Sequence, residues 1–570
     1  MVQHPKYSSR EEQALAEAGR TAISPAQKRL LVAVFLFIIF SVPVSQQVID
    51  LRAYLNGARS TPVPQCYDIF GSAFSALKQV CRPAGHPIKC LFSVNRRLLR
   101  DMRSYENTLE DSSFIGQAVR PSIQYIMTRW LGAGNDKTYC GRSQWLFYRS
   151  DIDYAVNHGF LDTGVMKRRA TAGNETTAAP HPDPRPAIIA FNTELAVRGI
   201  KLILLPTPVK PVIHPEKFAP GLENVKTPVQ NSSYRNFIKD IESAGVLVFD
   251  PAQKLIHNKL ENKKDQFLSG DTHWRPEAMG FCARLLGDFI RENVSLPPLP
   301  PAGYTAAMTN IVQRGDIAAM LKIPGGWGKY GPENVAIRQI FEPDGRAWQP
   351  AREADILVLG DSFANIYSLG NMGWGANAGL VEQLSYEMDR KIDRITVNDN
   401  GAWAGREFLM RELAGGKDRL AGKRAVIWQF AVRELTEGEW KLIALKPAGR
   451  PERFLKVPSG LEFIVNGEIK EITRAPRPGS VPYADHIIAV HLSNVSAGTN
   501  QSGQALVYMF SMTNNVLTKA AGLRAGNTVS LRLRSWLDVS AKYERINRTD
   551  LDNPDLLAQE PCWGELITDK

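Results

Sequence analysis

The sequence predicts an α/β domain, a parallel sheet flanked by helices, with an N-terminal transmembrane helix and a C-terminal all-β module. Three observations carry this. No charged residue falls between Leu30 and Ile49. From about residue 140 to about 440, short apolar runs alternate with helical patterns. After about residue 450 the period switches to two, as in Val529, Leu531 and Leu533 behind a Gly526-Asn527 turn.

Leu30 to Phe40 is unbroken apolar sequence, and about 20 such residues cross a bilayer as a helix. Lys28 and Arg29 precede it, which places the N-terminus on the cytoplasmic side. A cleaved signal peptide is the alternative. The long, mixed-charge lead-in and the lack of a small-x-small site from Ser41 to Gln47 favour an uncleaved anchor. The expected division of the 570 residues is a cytoplasmic tail over 1–28, an anchor over 29–49, a Cys-bearing lead segment over 50–140, the α/β domain over 141–445 and a β-rich accessory module over 450–570.

Within the α/β domain, a helical pattern through Ile188, Phe191 and Leu195 stops at Gly199, and Lys201 to Leu205 follows as a buried strand. The unit recurs with Phe237, Ile238 and Ile241, then Gly245, then Val246 to Phe249. Ile356 to Leu359, Ile395 to Val397 and Ala425 to Phe430 are further strands. Strands separated by helices imply a parallel sheet covered on both faces, with ligands beyond the carboxyl ends of the strands. Arg168 to Arg185 reads as a surface loop, and the Gly- and Pro-rich residues 296–350 as an insertion. Beyond 450, Ile487 to Leu492 and Ala505 to Phe510 are also strand-like. The aromatics Tyr508, Trp536, Tyr543 and Trp563 are either core residues or sugar-stacking platforms, the first being the commoner use.

The net charge of +11 fits an acidic partner or simply a soluble surface. No long Lys/Arg run or nucleic-acid motif occurs, which argues against nucleic acid. The six cysteines are Cys66, Cys81, Cys90, Cys140, Cys282 and Cys562. An even number permits disulfides in an exported chain, and the first four cluster ahead of the α/β domain, where they could staple it. None is spaced as a zinc site, so no metal is expected. Cys282 lies in an apolar helical pattern as a buried thiol.

Two motifs carry chemistry. Strand Ile356 to Leu359 runs into Gly360-Asp361-Ser362-Phe363. A glycine there permits the sharp turn that presents a hydroxyl at a helix start, where backbone N–H groups face a developing oxyanion. The plain alternative is that Asp361 or Ser362 only caps that helix. The second motif is Ser269-Gly270-Asp271-Thr272-His273-Trp274, followed by Arg275 and a helix opened by Pro276. The apolar face expected for that helix is Ala278, Phe281, Cys282, Leu285, Leu286 and Phe289. A serine hydroxyl needs a base to become a nucleophile. His273 can supply it, with Asp271 accepting the other imidazole N–H; alternatively Asp271 and His273 only hold their loop.

Gly-Asp-Ser at a strand end resembles the nucleophile block of the SGNH hydrolase superfamily. Here Asp271-Thr272-His273 precedes Ser362, the reverse of that superfamily's usual order. This permuted order, with Asp-Thr-His-Trp and Gly-Asp-Ser-Phe, resembles the AlgX/AlgJ family of alginate O-acetyltransferases. The likeness extends to Gly141 to Arg149, to Leu204-Leu205-Pro206-Thr207-Pro208-Val209-Lys210, and to Ile427-Trp428-Gln429-Phe430 with Arg433-Glu434.

The resemblance implies an SGNH-like fold and acetyl transfer to hydroxyls of an exported polysaccharide. Ser362 would be the nucleophile, His273 the base and then acid, and Asp271 the orienter. It implies no cofactor and an acetyl donor supplied by a membrane-bound O-acyltransferase or a small ester; the apolar anchor behind Lys28 and Arg29 adds the expectation of an inner-membrane, single-pass chain with its α/β domain in the periplasm. The Ser362 N–H would form part of the oxyanion hole. Tyr367, Gly370-Asn371 and the stretch from Asn398 to Gly401 are candidates for the rest. Lys210 and Arg433 follow strand ends and could hold a carboxylate or sugar, or simply form ion pairs. A serine esterase using water as acceptor, or a non-catalytic polysaccharide-binding scaffold, remain open beside this reading.

Overall fold

The computed structural model describes residues 24–55, 102, 113–172, 180–324, 330–398, 401–414 and 417–445, and, with short interruptions, 454–567. Residues 1–23 of the expected tail, most of the lead segment, and Cys66, Cys81 and Cys90 lie outside these. The chain divides into two units, 1–123 and 124–570.

In the first unit, helix α1 (Pro25–Leu55) contains the expected anchor and outruns it at both ends. Pro25–Arg52 is long and apolar enough to cross a membrane, with a mean hydropathy of 2.1.

The first strands of the second unit are a short antiparallel pair, β1 (Thr138–Cys140) and β2 (Leu146–Tyr148). Helix α2 (Pro184–Val197) follows, with the Asp183 side chain capping its start. A preceding helix runs to Ala170, so the expected Arg168 to Arg185 loop is shorter at both ends, and 173–179 lie outside the described residues. Then come β3 (Lys201–Thr207), α3 (Tyr234–Ser243), β4 (Leu247–Val248) and α4 (Pro276–Asn293). The buried stripe of α4 is Ala278, Met279, Cys282, Ala283, Leu286 and Ile290. Phe281, Leu285 and Phe289 are only partly buried, so the face is rotated from the one expected. Cys282 is a buried thiol, pushed well above the usual range by burial and by the charge of Asp250.

The Gly- and Pro-rich stretch is an antiparallel ribbon, β5 (Thr305–Gln313) paired with β6 (Glu333–Phe341), with the short helix α5 (Asp316–Met320) between them. After it come β7 (Ile356–Gly360), α6 (Ser362–Asn365), α7 (Leu380–Met388), β8 (Asp393–Thr396), α8 (Ala404–Ala414) and β9 (Ala425–Ala431).

Five of these strands form one sheet in the order β4-β3-β9-β7-β8, and every pairing in it is parallel. All seven residues of β9 are buried, as are the last six of β3 and the first four of β7. That is why these strands read as unbroken apolar runs rather than alternations. The carboxyl ends of β7 and β9, adjacent at the middle of the sheet, deliver Ser362 and Arg433 to the same edge.

The last segment holds β10 (Glu462–Ile472), β11 (His486–Ala497), β12 (Asn500–Gln501), β13 (Gln504–Thr513), β14 (Val516–Leu517), β15 (Thr528–Ser535), β16 (Asn547–Thr549) and β17 (Cys562–Leu566). The pairings run β11-β10-β15-β17-β13, and β11 also pairs with β13, closing a small barrel. Alternate inward residues such as Val529, Leu531 and Leu533 fill it. Tyr508, Trp536 and Trp563 are buried in a second cluster that Tyr543 joins, with ring centroids 4.6–6.0 Å apart. Packing, not a sugar-stacking platform, uses these aromatics.

The ribbon comes close to the loop before α4 at Gly270, whose carbonyl accepts from Ala318 N at 3.0 Å. A Cβ added to Gly315 would lie 2.2 Å from the Gly270 carbonyl oxygen. Gly315 has an ordinary φ of −67°, so space and not conformation requires glycine. Gly315→Ala is expected to destabilise the chain by about 1–3 kcal/mol, seen as a lower urea midpoint with unchanged slope.

Candidate active site

Ser362 sits at the point where β7 becomes α6. A Cβ on Gly360 would meet Ala364 Cβ at 2.9 Å and Gln429 Oε1 at 3.0 Å, which leaves no room for a side chain before the turn. Asp361 is the N-cap: its Oδ1 accepts from Phe363 N at 2.8 Å and from Gln429 Nε2 at 2.9 Å. Its Oδ2 accepts from Ala431 N at 2.7 Å, and its own N–H donates to Gln429 Oε1 at 2.9 Å. Capping is therefore done by Asp361, which ties β7 to β9 and leaves the Ser362 hydroxyl outside the cap.

The other motif is a tight loop. Phe267 and Trp274 face each other across an antiparallel bridge, and Leu268 N donates to His273 O at 3.2 Å. Trp274 Nε1 donates to Phe363 O at 3.1 Å, locking the loop onto the turn after β7. The imidazole of His273 lies 4.8 Å from the Phe363 ring centroid.

These contacts bring three side chains into line. His273 Nε2 is 2.9 Å from Ser362 Oγ, and His273 Nδ1 is 2.7 Å from Asp271 Oδ1. The second Asp271 oxygen accepts from Trp374 Nε1 at 2.9 Å and from Asp316 N at 3.0 Å. Asp271 and His273 are buried, and Ser362 is half-buried. Burial is the largest effect on each ionisable group and opposes its charge. At His273 it is outweighed by the hydrogen bond and charge of Asp271 and by the charge of Asp316, so the imidazole is raised above its usual value. Asp271 is held well below the usual carboxylate range by His273, with help from Asp316 N and Trp374. A nucleophilic hydroxyl, an imidazole base and an ionised orienter are what acyl transfer requires.

The remaining sequence candidates separate. Lys210 is fully buried, and its Nζ donates to Leu146 O at 2.8 Å and Ser269 O at 3.1 Å. It clamps the His273 loop to β2 and has no free face for a sugar. Burial lowers it to about 8 against the pull of Asp271 and its neighbours. Tyr367 is likewise buried, its hydroxyl donating to Trp274 O at 2.6 Å instead of facing Ser362. Asn371 is exposed on a single 3-10 turn, Gly370–Met372. Asn398 accepts from Asn365 Nδ2 at 2.7 Å, beyond the end of β8. Gly401 has a φ of +65° and lies against the Glu434 carboxylate, while residues 399 and 400 between them lie outside the described residues. Arg433 is paired with Asp151 at 2.9 Å and lies 5.6 Å from the Phe363 ring centroid.

Sequence reasoning missed Asp316, Trp374 and Asp151. Asp316 and Trp374 come from stretches with no usable period, and nothing local marks them. Asp271, His273 and Asp316 also form a group whose ligand-type atoms lie within 4.8 Å of one another. Nδ1 and the carboxylate oxygens already hold hydrogen bonds that organise the imidazole, so a metal would have to break them.

Asp361→Ala should cost about 2–4 kcal/mol, from a lost cap and buried groups left without partners. Asp361→Ser should recover roughly 1 kcal/mol by keeping the cap alone. Denaturant midpoints of the two variants measure this.

A family described as "SGNH hydrolase-like domain, acetyltransferase AlgX" matches residues 139–432, just over half of the chain. The "Probable alginate O-acetylase AlgJ" of Pseudomonas syringae pv. tomato is 25% identical over 190 residues, 33% of this chain and 42% of that protein, so the match spans less than half of the relative. Among solved structures, the O-acetyltransferase domain of Pseudomonas putida AlgJ is similar at 17% identity and a TM-score of 0.39, covering 53% of this chain and 93% of that one. Pseudomonas aeruginosa AlgX is similar at 14% identity and a TM-score of 0.35, covering 70% of this chain and 91% of that one. The permuted Asp-Thr-His and Gly-Asp-Ser blocks both fall inside the matched region, and the chain belongs to the acetyltransferase AlgX family of SGNH hydrolase-like domains.

Proposed function

We propose that this chain transfers acetyl groups to hydroxyls of an exported polysaccharide through an acetyl-serine intermediate. The observation that carries this is the continuous Ser362–His273–Asp271 hydrogen-bonded line, at 2.9 Å and 2.7 Å, inside an acetyltransferase family domain. Ser362 Oγ attacks the donor's carbonyl carbon while His273 Nε2 takes the hydroxyl proton. Collapse of the tetrahedral adduct expels the donor's alcohol, which leaves with that proton. A sugar hydroxyl then attacks the acetyl-serine, gives its proton to His273, and returns Ser362 to its resting state as the proton goes back to Oγ. The Ser362 N–H serves the oxyanion, and Asp271 holds the Nδ1–H tautomer throughout. No cofactor enters these steps.

The apolar α1 helix supports an anchored chain with its larger unit on the periplasmic side of an inner membrane. A donor delivered by a membrane-bound O-acyltransferase would then arrive on the same side of that membrane. Alginate, named for the P. syringae relative, is the first acceptor to try.

The full chain, given a small acetyl ester and candidate oligosaccharides, should yield acetylated sugar. Ser362→Ala should lower the rate by roughly three orders of magnitude, and Asp271→Asn by roughly 10²–10⁴-fold. Acetate release with no acetylated sugar, across all acceptors, would instead identify an esterase. Unchanged polymer acetylation in Ser362→Ala would identify a scaffold.

The base must be neutral to accept a proton. Because His273 is raised above the ordinary value of 6.5, kcat/KM should fall as pH drops through a midpoint above that value. Asp271, held low, stays ionised across the same range. A rate profile with its acid midpoint below 6.5 would contradict the assignment of His273.

A further inference from the structure

Asp316 lies in the ribbon excursion, 43 residues in sequence from His273, yet its carboxylate is directed at the same edge of the imidazole. Its Oδ1 accepts from Thr272 N at 2.7 Å and Ile317 N at 2.6 Å, and its Oδ2 accepts from the Thr272 hydroxyl at 2.6 Å. The Thr272 proton is therefore committed to Asp316. The Thr272 oxygen, 3.0 Å from His273 Nδ1, presents a lone pair to the ring. The Nδ1–H thus meets two acceptors, Asp271 Oδ1 and Thr272 Oγ1, and Nε2 is left with its lone pair toward Ser362.

The charge is the second observation. Burying two carboxylates together is costly, and a neutral residue could satisfy the Thr272 and Ile317 amides as well. Among the described residues, the only ion-pair partner within 4.0 Å of Asp316 is His273, with Nδ1 at 3.9 Å from Oδ2. Burial, and then the charge of Asp271, lift Asp316 above the usual carboxylate range, and the charge of a protonated His273 opposes that rise. The other charged groups around the ring are Arg433, which opposes its protonation, Asp151 paired to Arg433, and Lys210, which feels Asp271, Asp316, Glu333 and Asp151 together.

We propose that Asp316 is a positioning residue for His273, fixing its Nδ1–H tautomer through the Thr272 hydroxyl and stabilising the imidazolium as a second buried anion. This rests on the reading of His273 as the base. Asp316→Asn keeps the shape and one oxygen for the two amides. It sets an N–H group against Thr272 Oγ1, whose proton then loses its acceptor, and it removes one negative charge facing the ring.

The test is imidazole ¹⁵N and proton NMR of the full chain labelled at histidine, with His273→Gln assigning the signal, beside acetyl-transfer rates. Asp316→Asn is expected to lower the His273 pKa by about half a unit or more and to move the acid limb of kcat/KM down equally. It is also expected to slow transfer roughly ten-fold above that limb. Thr272→Ser should preserve the Nδ1–H resonance of the parent, and Thr272→Val should shift it. An unchanged His273 titration in a folded Asp316→Asn variant would overturn the proposal. If that variant does not fold, identical Nδ1–H resonances in Thr272→Ser and Thr272→Val would overturn it. Transfer that survives Ser362→Ala would remove the acetyl-serine reading while leaving the titrations to decide the role of Asp316.

Discussion

Asp361 is buried at the end of β7, and its carboxylate satisfies two backbone amides and one side-chain amide at once. One of those backbone amides starts the helix carrying Ser362, and the other belongs to Ala431 at the end of β9. The same contact thus ends two neighbouring strands in register, begins the helix and leaves the serine hydroxyl without a structural task. The His273 loop is then fastened to this fixed point by Trp274, whose indole donates to Phe363 O. Ser362 and His273 are thus both placed from this one centre.

Around this point the domain holds an unusual density of buried charge. Lys210, Asp151, Arg433, Asp271 and Asp316 come from five separate segments. Each is opposed by its own burial, so each persists through a partner: backbone carbonyls for Lys210, Arg433 for Asp151, His273 for Asp271. Arg433 is held far above its usual range by Asp151 and other carboxylates despite its burial. Hydrogen bonds to Asp271 and Thr272 hold the imidazole in one orientation, and burial strengthens every charge interaction around it.

The barrel is joined to the α/β domain by the same kind of contact. Arg411 of α8 pairs with Asp550 at 3.0 Å, and Tyr508 donates to the same carboxylate at 2.7 Å. Arg548 reaches Asp550 from the other side at 3.1 Å. Aromatic residues that an exposed sugar platform would need, Tyr508 and Trp536 above all, are spent on this seam and on the cluster behind it.

The parallel sheet, the all-β character of the last module, the apolar N-terminal helix and the two motif blocks were all legible in the sequence, because each is set by local periodicity or by adjacent residues. Strand β9 is apolar throughout since both its faces are covered, and Asp271 reaches His273 since two residues separate them. Tertiary structure alone decided the rest. It brought Ser362 to His273 across 89 residues, drew Asp316 and Trp374 in from aperiodic stretches, and made buried struts of Lys210, a candidate for holding substrate, and Tyr367, a candidate oxyanion donor. The physical reason is that a side chain's partner depends on which backbones approach one another. The Gly270–Gly315 contact that admits Asp316 exists only once the ribbon folds back, and no local pattern of residues encodes it.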